Sequence, residues 1–147
     1  MHDDTPDASR PQPPRGIATT PSPYTFDETV DRLLAAFDRA ELTLFCVIDH
    51  AAGALGVGLH LQPEKLLVFG NPTAGTPAMT ARPEIGLELP LRLLVWQDDR
   101  QQVSVSRQDT SDWPDRFGVD DDVLAPLSRV AVLVDAALTP RAGSSRA

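Results

Sequence analysis

LFCVIDH (residues 44–50), EKLLVFGNP (64–72), GTPAM (75–79) and LPLRLLVW (89–96) follow one another in a single stretch and alternate strand-like runs with turns. Three of the four are apolar runs of strand length, separated by polar or Gly/Pro-rich turns. Residues 42–49 alternate little and are rich in apolar and β-branched types, which predicts a strand covered on both faces or set centrally in a sheet. A short helix over residues 51–55 follows, ended by Gly56 and Gly58, which tolerate left-handed backbone. Residues 65–69 read as a strand stopped by Gly70-Asn71-Pro72. Thr76-Pro77 then offers an N-cap and a proline at the first helical position of a brief helix ending before Pro83.

Working outward, residues 91–97 and 103–108 are two strand-like runs joined by Asp98-Asp99-Arg100, the spacing of a β-hairpin. On the N-terminal side, Thr25-Phe26-Asp27-Glu28 has capping-box spacing, and Val30, Leu33, Leu34 and Phe37 repeat on one helical stripe. Asp31, Arg32, Asp38 and Arg39 then face water. On the C-terminal side, three aspartates from Asp120 precede an apolar stripe through Val123, Leu127, Val130 and Val134. One long closing helix is expected, with Pro126 tolerable only in its first turn.

With 147 residues, 41% hydrophobic and 23% charged, the chain has the length and composition of one globular domain. The pattern predicts a single α+β domain: an antiparallel or mixed sheet of about four or five strands, covered mainly on one face by the first and last helices. Six of the 14 prolines precede Tyr24, so residues 1–18 are expected to form a disordered tail, the domain to occupy 19–138, and the small polar residues 139–147 to fray. A sheet with one open face is commonly completed by a second copy, so a homodimer is expected.

A net charge of −8 with 13 scattered basic residues, only one of them lysine (Lys65), argues against nucleic acid as a partner. No apolar run approaches the length that spans a bilayer, and the N-terminus lacks a secretory signal, so no membrane partner is expected and the cytoplasm is the expected location. The single Cys46 excludes an intramolecular disulfide and reads as a buried, inert thiol. His2, His50, His60 and Cys46 do not offer the three or four suitably spaced ligands of a dedicated zinc site, and no cofactor is identifiable.

Several motifs recur together: Asp49-His50 closing a strand, Leu61-Gln62-Pro63, Phe69-Gly70-Asn71-Pro72, Gly75-Thr76-Pro77-Ala78-Met79, and Leu89-Pro90-Leu91. In this order and spacing the chain resembles, over residues 20–137, the bacterial and archaeal family catalogued as domain of unknown function 302. The resemblance implies the α+β fold and two polar turns as a candidate site, without naming a substrate. One departure is informative. Where family members often have Ser-Tyr-Asn-Asp-Pro followed by an Arg-His pair, this chain has Ser106-Arg107-Gln108-Asp109 and later Arg116-Phe117, so a second histidine is missing.

The candidate ligand-binding residues are Asp49, His50, Asn71, Thr76 and Met79, converging on one cleft of a small-ligand-binding or sensor-like module. His50, at a strand-to-helix passage, is the candidate proton-transfer group or metal ligand, oriented by Asp49. The plainer alternative makes Asp49 an N-cap and His50 a half-buried residue. Gly70–Thr76 can present backbone N–H groups beside a helix start but lacks the lysine and spacing of a phosphate loop. An enzyme reading assigns His50 as general acid or base, with Asn71 and the amides near Thr76 holding an oxyanion; a third reading is an interaction domain without a small-molecule site. Met79 and Phe69 are pocket lining or plain core, and Trp113, between Asp112 and Pro114, is expected to be partly exposed.

Overall fold

A computed structural model of the chain describes residues 12–140; the parts of the expected tails at 1–11 and 141–147 lie outside the described residues. The elements run β1 (Ile17–Ser22), α1 (Phe26–Arg39), β2 (Thr43–Asp49), α2 (His50–Gly56), β3 (Glu64–Gly70), α3 (Pro72–Ala81), a 3-10 segment (Pro83–Leu87), β4 (Leu91–Gln97), β5 (Val103–Gln108), α4 (Trp113–Phe117), α5 (Asp121–Ser128) and α6 (Val130–Leu138). The five strands make one antiparallel sheet in the order β1-β5-β4-β3-β2. β1 begins at Ile17, inside the segment expected as tail, because its pairing with Gln108 holds that residue in the sheet.

Strand periodicity sends Leu67 and Phe69 of β3, Leu93 and Val95 of β4, and Val105 of β5 to one face, where all are buried. The α1 stripe read from the sequence packs there: Leu33 and Phe37 are buried, and the Phe37 and Phe69 rings stack 4.3 Å apart. Thr25 caps α1 by accepting the Glu28 N–H at 3.2 Å. Inside the helix, the buried Thr29 hydroxyl donates to the Thr25 carbonyl and meets Ser22 Oγ at 2.7 Å, so a polar group in the core is satisfied. α6 lies beside α1, joined where Arg32 Nε donates to the Ala137 carbonyl at 3.1 Å.

The other sheet face carries Cys46, Ile48, Leu66, Leu94 and Trp96 on its β2–β4 side. On its β5–β1 side it carries Ser106, whose hydroxyl receives Trp96 Nε1 at 2.9 Å and meets Thr19 Oγ1 at 2.8 Å. Coverage mainly on one face is thus the observed arrangement, and the α+β expectation holds.

Five local expectations need correction. β2 is an edge strand, exposed along its whole length, rather than central or covered on both faces. Its weak alternation has a local cause: the register shifts between Leu44 and Cys46, leaving Phe45 as a bulge residue. Cys46 is consequently exposed, not buried. The helix expected at Thr76 begins five residues earlier, with Asn71 as its cap and Pro72 at its first position, so Pro77 falls inside it. The closing helix is divided at Arg129 into α5 and α6, and Pro126 lies beyond the first turn of α5, where it withholds an intrahelical N–H. Trp113, expected at the surface, is 2% exposed and packs edge-on to Phe117 at 5.8 Å.

Candidate functional site

The β2–β3 ladder separates the five candidate residues into two groups. Thr43 pairs with Gly70 at one end, and Asp49 pairs with Lys65 at the other. Asp49 and Asn71 therefore stand at opposite ends of the ladder, about 20 Å apart at roughly 3.3 Å per residue. This exceeds any direct hydrogen-bond reach, so the single cleft expected from the sequence does not assemble, nor does the pairing of His50 with Asn71 and the Thr76 amides.

At the Asp49 end, the carboxylate Oδ1 accepts the Ala52 N–H at 2.8 Å and so caps α2. His50 is the first helical residue and is exposed. A hollow of about 380 Å³ lies alongside, lined by Phe26, Asp27, Asp49, Leu55, Leu59 and Lys65 among others; His50 does not line it. The Lys65 ammonium sits 5.9 Å from the Phe26 ring centre. Cap and helix start account for the Asp49-His50 pair without a ligand.

The opposite end is built differently. Asn71 Oδ1 accepts the Thr73 N–H at 2.9 Å, starting α3 beneath the ends of β3 and β4. A pocket of about 1060 Å³ opens there between α1, α3 and the α5–α6 pair, and Asn71, Thr76 and Met79 all line it. The rest of its wall is mainly apolar, including Phe45, Phe69, Leu89, Leu127 and Leu133. The wall is tightly packed at Gly75, where a side chain would meet Leu89 Cδ1 at 3.3 Å, closer than ordinary contact. Among the described residues, the Asn71 side-chain NH₂ and the Thr76 hydroxyl have no protein partner, so donors remain for a ligand.

Two charged lining residues have no counterpart among the sequence candidates: Arg39, the last residue of α1, and Arg129, the joint between α5 and α6. Only the packing of α1 against α6 brings them to one pocket, and neither carries a local motif. No group of three or more His, Cys, Asp or Glu side chains among the described residues is arranged to hold a metal ion.

The position of the missing second histidine is also resolved. Phe117 is buried against Trp113, and the neighbouring Arg116 donates to Glu88 Oε1 at 3.1 Å, just before β4. Leu91 at the start of β4 pairs with Phe69, so this corner belongs to the Asn71 end of the sheet. A histidine there would stand far from His50, and a joint two-histidine centre would not form.

The family model described as domain of unknown function DUF302 matches residues 18–136, a span that includes both ends of this ladder. The chain belongs to this family. The crystal structure of an uncharacterized conserved DUF302 protein from Bacillus stearothermophilus aligns with a TM-score of 0.70 at 16% identity, covering 85% of this chain and 97% of that one. At that identity the likeness shows the DUF302 fold alone. Curated relatives include the "Fluoride-specific ion channel FluC 1" proteins of Brucella suis and Brucella abortus, each 38% identical over 94 residues, or 64% of this chain. Those 94 residues are 37% and 35% of the relatives' own lengths, so this DUF302 chain matches little more than a third of each. No helix among the described residues is long and apolar enough to cross a membrane.

Proposed function

We propose that this DUF302 protein is a small-ligand-binding or sensor-like module whose ligand occupies the pocket at the Asn71 end of the sheet. The observation that carries the reading is the pocket itself: about 1060 Å³, mostly apolar, with Asn71, Thr76 and Met79 on its wall. Ligand sites combine apolar walls with a few placed polar groups, and those groups are available here. Asp49 and His50 serve the cap of α2 and stand outside the site. The channel activity named for the Brucella proteins stays with their longer chains, and the cytoplasm is the proposed setting.

The test is a thermal-shift screen of metabolites against the wild type and Ala136→Phe. Ala136 lines the pocket from an exposed position on α6, so a phenyl group there fills the space while sparing the core. A stabilisation of several degrees in the wild type, lost in Ala136→Phe, supports the reading. Ligands that stabilise both proteins equally, or that respond only to His50→Ala, would place binding elsewhere and refute it.

The β2 edge favours a second role, as the contact between two copies. Its outer backbone groups are unpaired in the sheet, and no charged residue lies between Leu42 and Ile48 in a chain of net charge −8. Leu44, Phe45, Val47 and Ile48 are all exposed large apolar residues. Antiparallel pairing of β2 with itself about Val47 would satisfy the backbone and cover these side chains under one two-fold axis. Light scattering on a sizing column should give a dimer at micromolar concentration and a monomer for Val47→Lys; a wild-type monomer throughout would remove this reading.

A further inference from the structure

Among the residues lining the pocket at the Asn71 end, only Arg39 and Arg129 are charged, and both are cationic. That is unexpected for a chain with 21 acidic and 13 basic residues. Among the described residues neither arginine forms a salt bridge, whereas Arg82, Arg92 and Arg116 each pair with a glutamate.

Their convergence follows from the fold. Arg32 of α1 bonds to Ala137 of α6, and the two helices pack alongside each other. Arg39 lies seven residues beyond Arg32, and Val130 lies seven residues before Ala137. At roughly 1.5 Å per residue both positions are displaced by about 10 Å along their helices, toward the same end of the pair. Arg39 and Arg129 are exposed, whereas Phe69, Leu127 and Val130 on the same wall are buried. The pocket thus has a cationic, solvated rim and an apolar interior, with two polar groups, Asn71 and Thr76, on its wall.

We propose that the ligand is a single-chain carboxylate, its alkyl tail lying in the apolar interior and its head group held at the rim by Arg39 and Arg129. Guanidinium groups match a carboxylate's two oxygens in a planar fork, and their stems can lie along apolar surface while the heads stay in water. A lining free of carboxylates opposes no anion, while a cationic amphiphile would meet like charge at the rim. The inference rests on the pocket reading given above and adds the chemical class of its occupant.

The test is calorimetric titration of the full chain with three amphiphiles of equal tail length, each below its micelle threshold: dodecanoate, dodecan-1-ol and dodecyltrimethylammonium. The wild type should bind dodecanoate about tenfold more tightly than dodecanol, and the cation most weakly. In Arg39→Gln/Arg129→Gln the preference should vanish while dodecanol affinity stays the same; because both side chains are exposed, the core is unaffected. Ala136→Phe should weaken dodecanoate and dodecanol alike.

Equal wild-type affinity for dodecanoate and dodecanol would overturn the carboxylate assignment and leave the pocket reading intact. So would a metabolite sensitive to Ala136→Phe in a protein that binds none of the three amphiphiles. Capture on phosphatidylglycerol vesicles without binding of dodecanoate would replace the free carboxylate with a lipid surface and overturn the proposal. Failure of every compound to respond to Ala136→Phe would remove the pocket reading with it.

Discussion

The two ends of the β2–β3 ladder use the same capping device in different surroundings. Asp49 caps α2 through the Ala52 N–H, and Asn71 caps α3 through the Thr73 N–H, with nearly equal distances of 2.8 and 2.9 Å. At the Asp49 end the following helix is short and its Leu55 is 76% exposed. At the Asn71 end the cap stands on the wall of a large apolar pocket, and the residue is an amide that still has two N–H groups to donate. A polar residue at a strand-to-helix turn is therefore not a site by virtue of its position. What distinguishes the two ends is the apolar space beside the cap and the donors left over once capping is complete.

The largest difference between the ends should appear in stability. Phe69 forms part of the pocket wall and stacks on Phe37, so Phe69→Ala should cost about 3–5 kcal/mol in urea unfolding, whereas Leu55→Ala at the other end should change stability by less than about 0.5 kcal/mol. Comparable losses would mean that both ends belong equally to the core.

Next come the caps. Asp49→Ala and Asn71→Ala should each destabilise by about 1 kcal/mol, but only Asn71→Ala should also reduce the thermal shift produced by a pocket ligand. Equal loss of ligand response in the two variants would mean that the caps at both ends serve ligand binding alike. His50→Ala should leave both stability, within about 0.5 kcal/mol, and ligand response unchanged. A ligand-linked effect there would restore the histidine as a site residue.

The smallest effect is a pH dependence close to the Asn71 end. Asp109 follows β5, and hydrogen bonds from the Ser111 side chain and backbone hold its carboxyl below the ordinary carboxylate range, with Arg107 adding a smaller pull against the cost of burial. A lowered folded value means that its contribution is present above the unfolded pKa, roughly pH 4, and is lost as pH falls through the folded value. Asp109→Asn should therefore slightly flatten the acid limb of stability below about pH 4 and change little at pH 7. A variant whose acid limb matched the wild type would show that this carboxylate is not linked to folding.

Much of the fold was legible in the sequence because its signals are local. Thr25 and the stripe through Phe37 marked α1, and the Asp98 turn marked the β4–β5 hairpin, since capping and periodicity act within a few residues. The edge position of β2 was not legible. An apolar strand reads alike at a sheet's centre and at its edge, and strand order is fixed by pairings far apart in the chain. Thr76-Pro77 concealed the earlier Asn71-Pro72 start because both dipeptides carry the same N-cap signal.

The candidate site divided for a related reason. The family motifs name polar turns, and adjacency in sequence cannot tell whether two turns sit at the same end of a strand pair. Asn71, Thr76 and Met79 fall on one helix and its cap, so their grouping was readable; Asp49 and His50 were separated from them by the length of β2. Arg39 and Arg129 reach the pocket only through the packing of α1 on α6, which no local pattern announces.

The proposed ligand site lies at the Asn71 end of the ladder and not at the Asp49-His50 end. The most direct measurement is an amide-resolved NMR titration of the full chain with a set of neutral, anionic and cationic fragments. Shifts should concentrate on Asn71, Ala74–Met79, Arg39 and Arg129, with Asp49–Leu61 unmoved. Shifts centred on Asp49, His50 and Leu55 would contradict it.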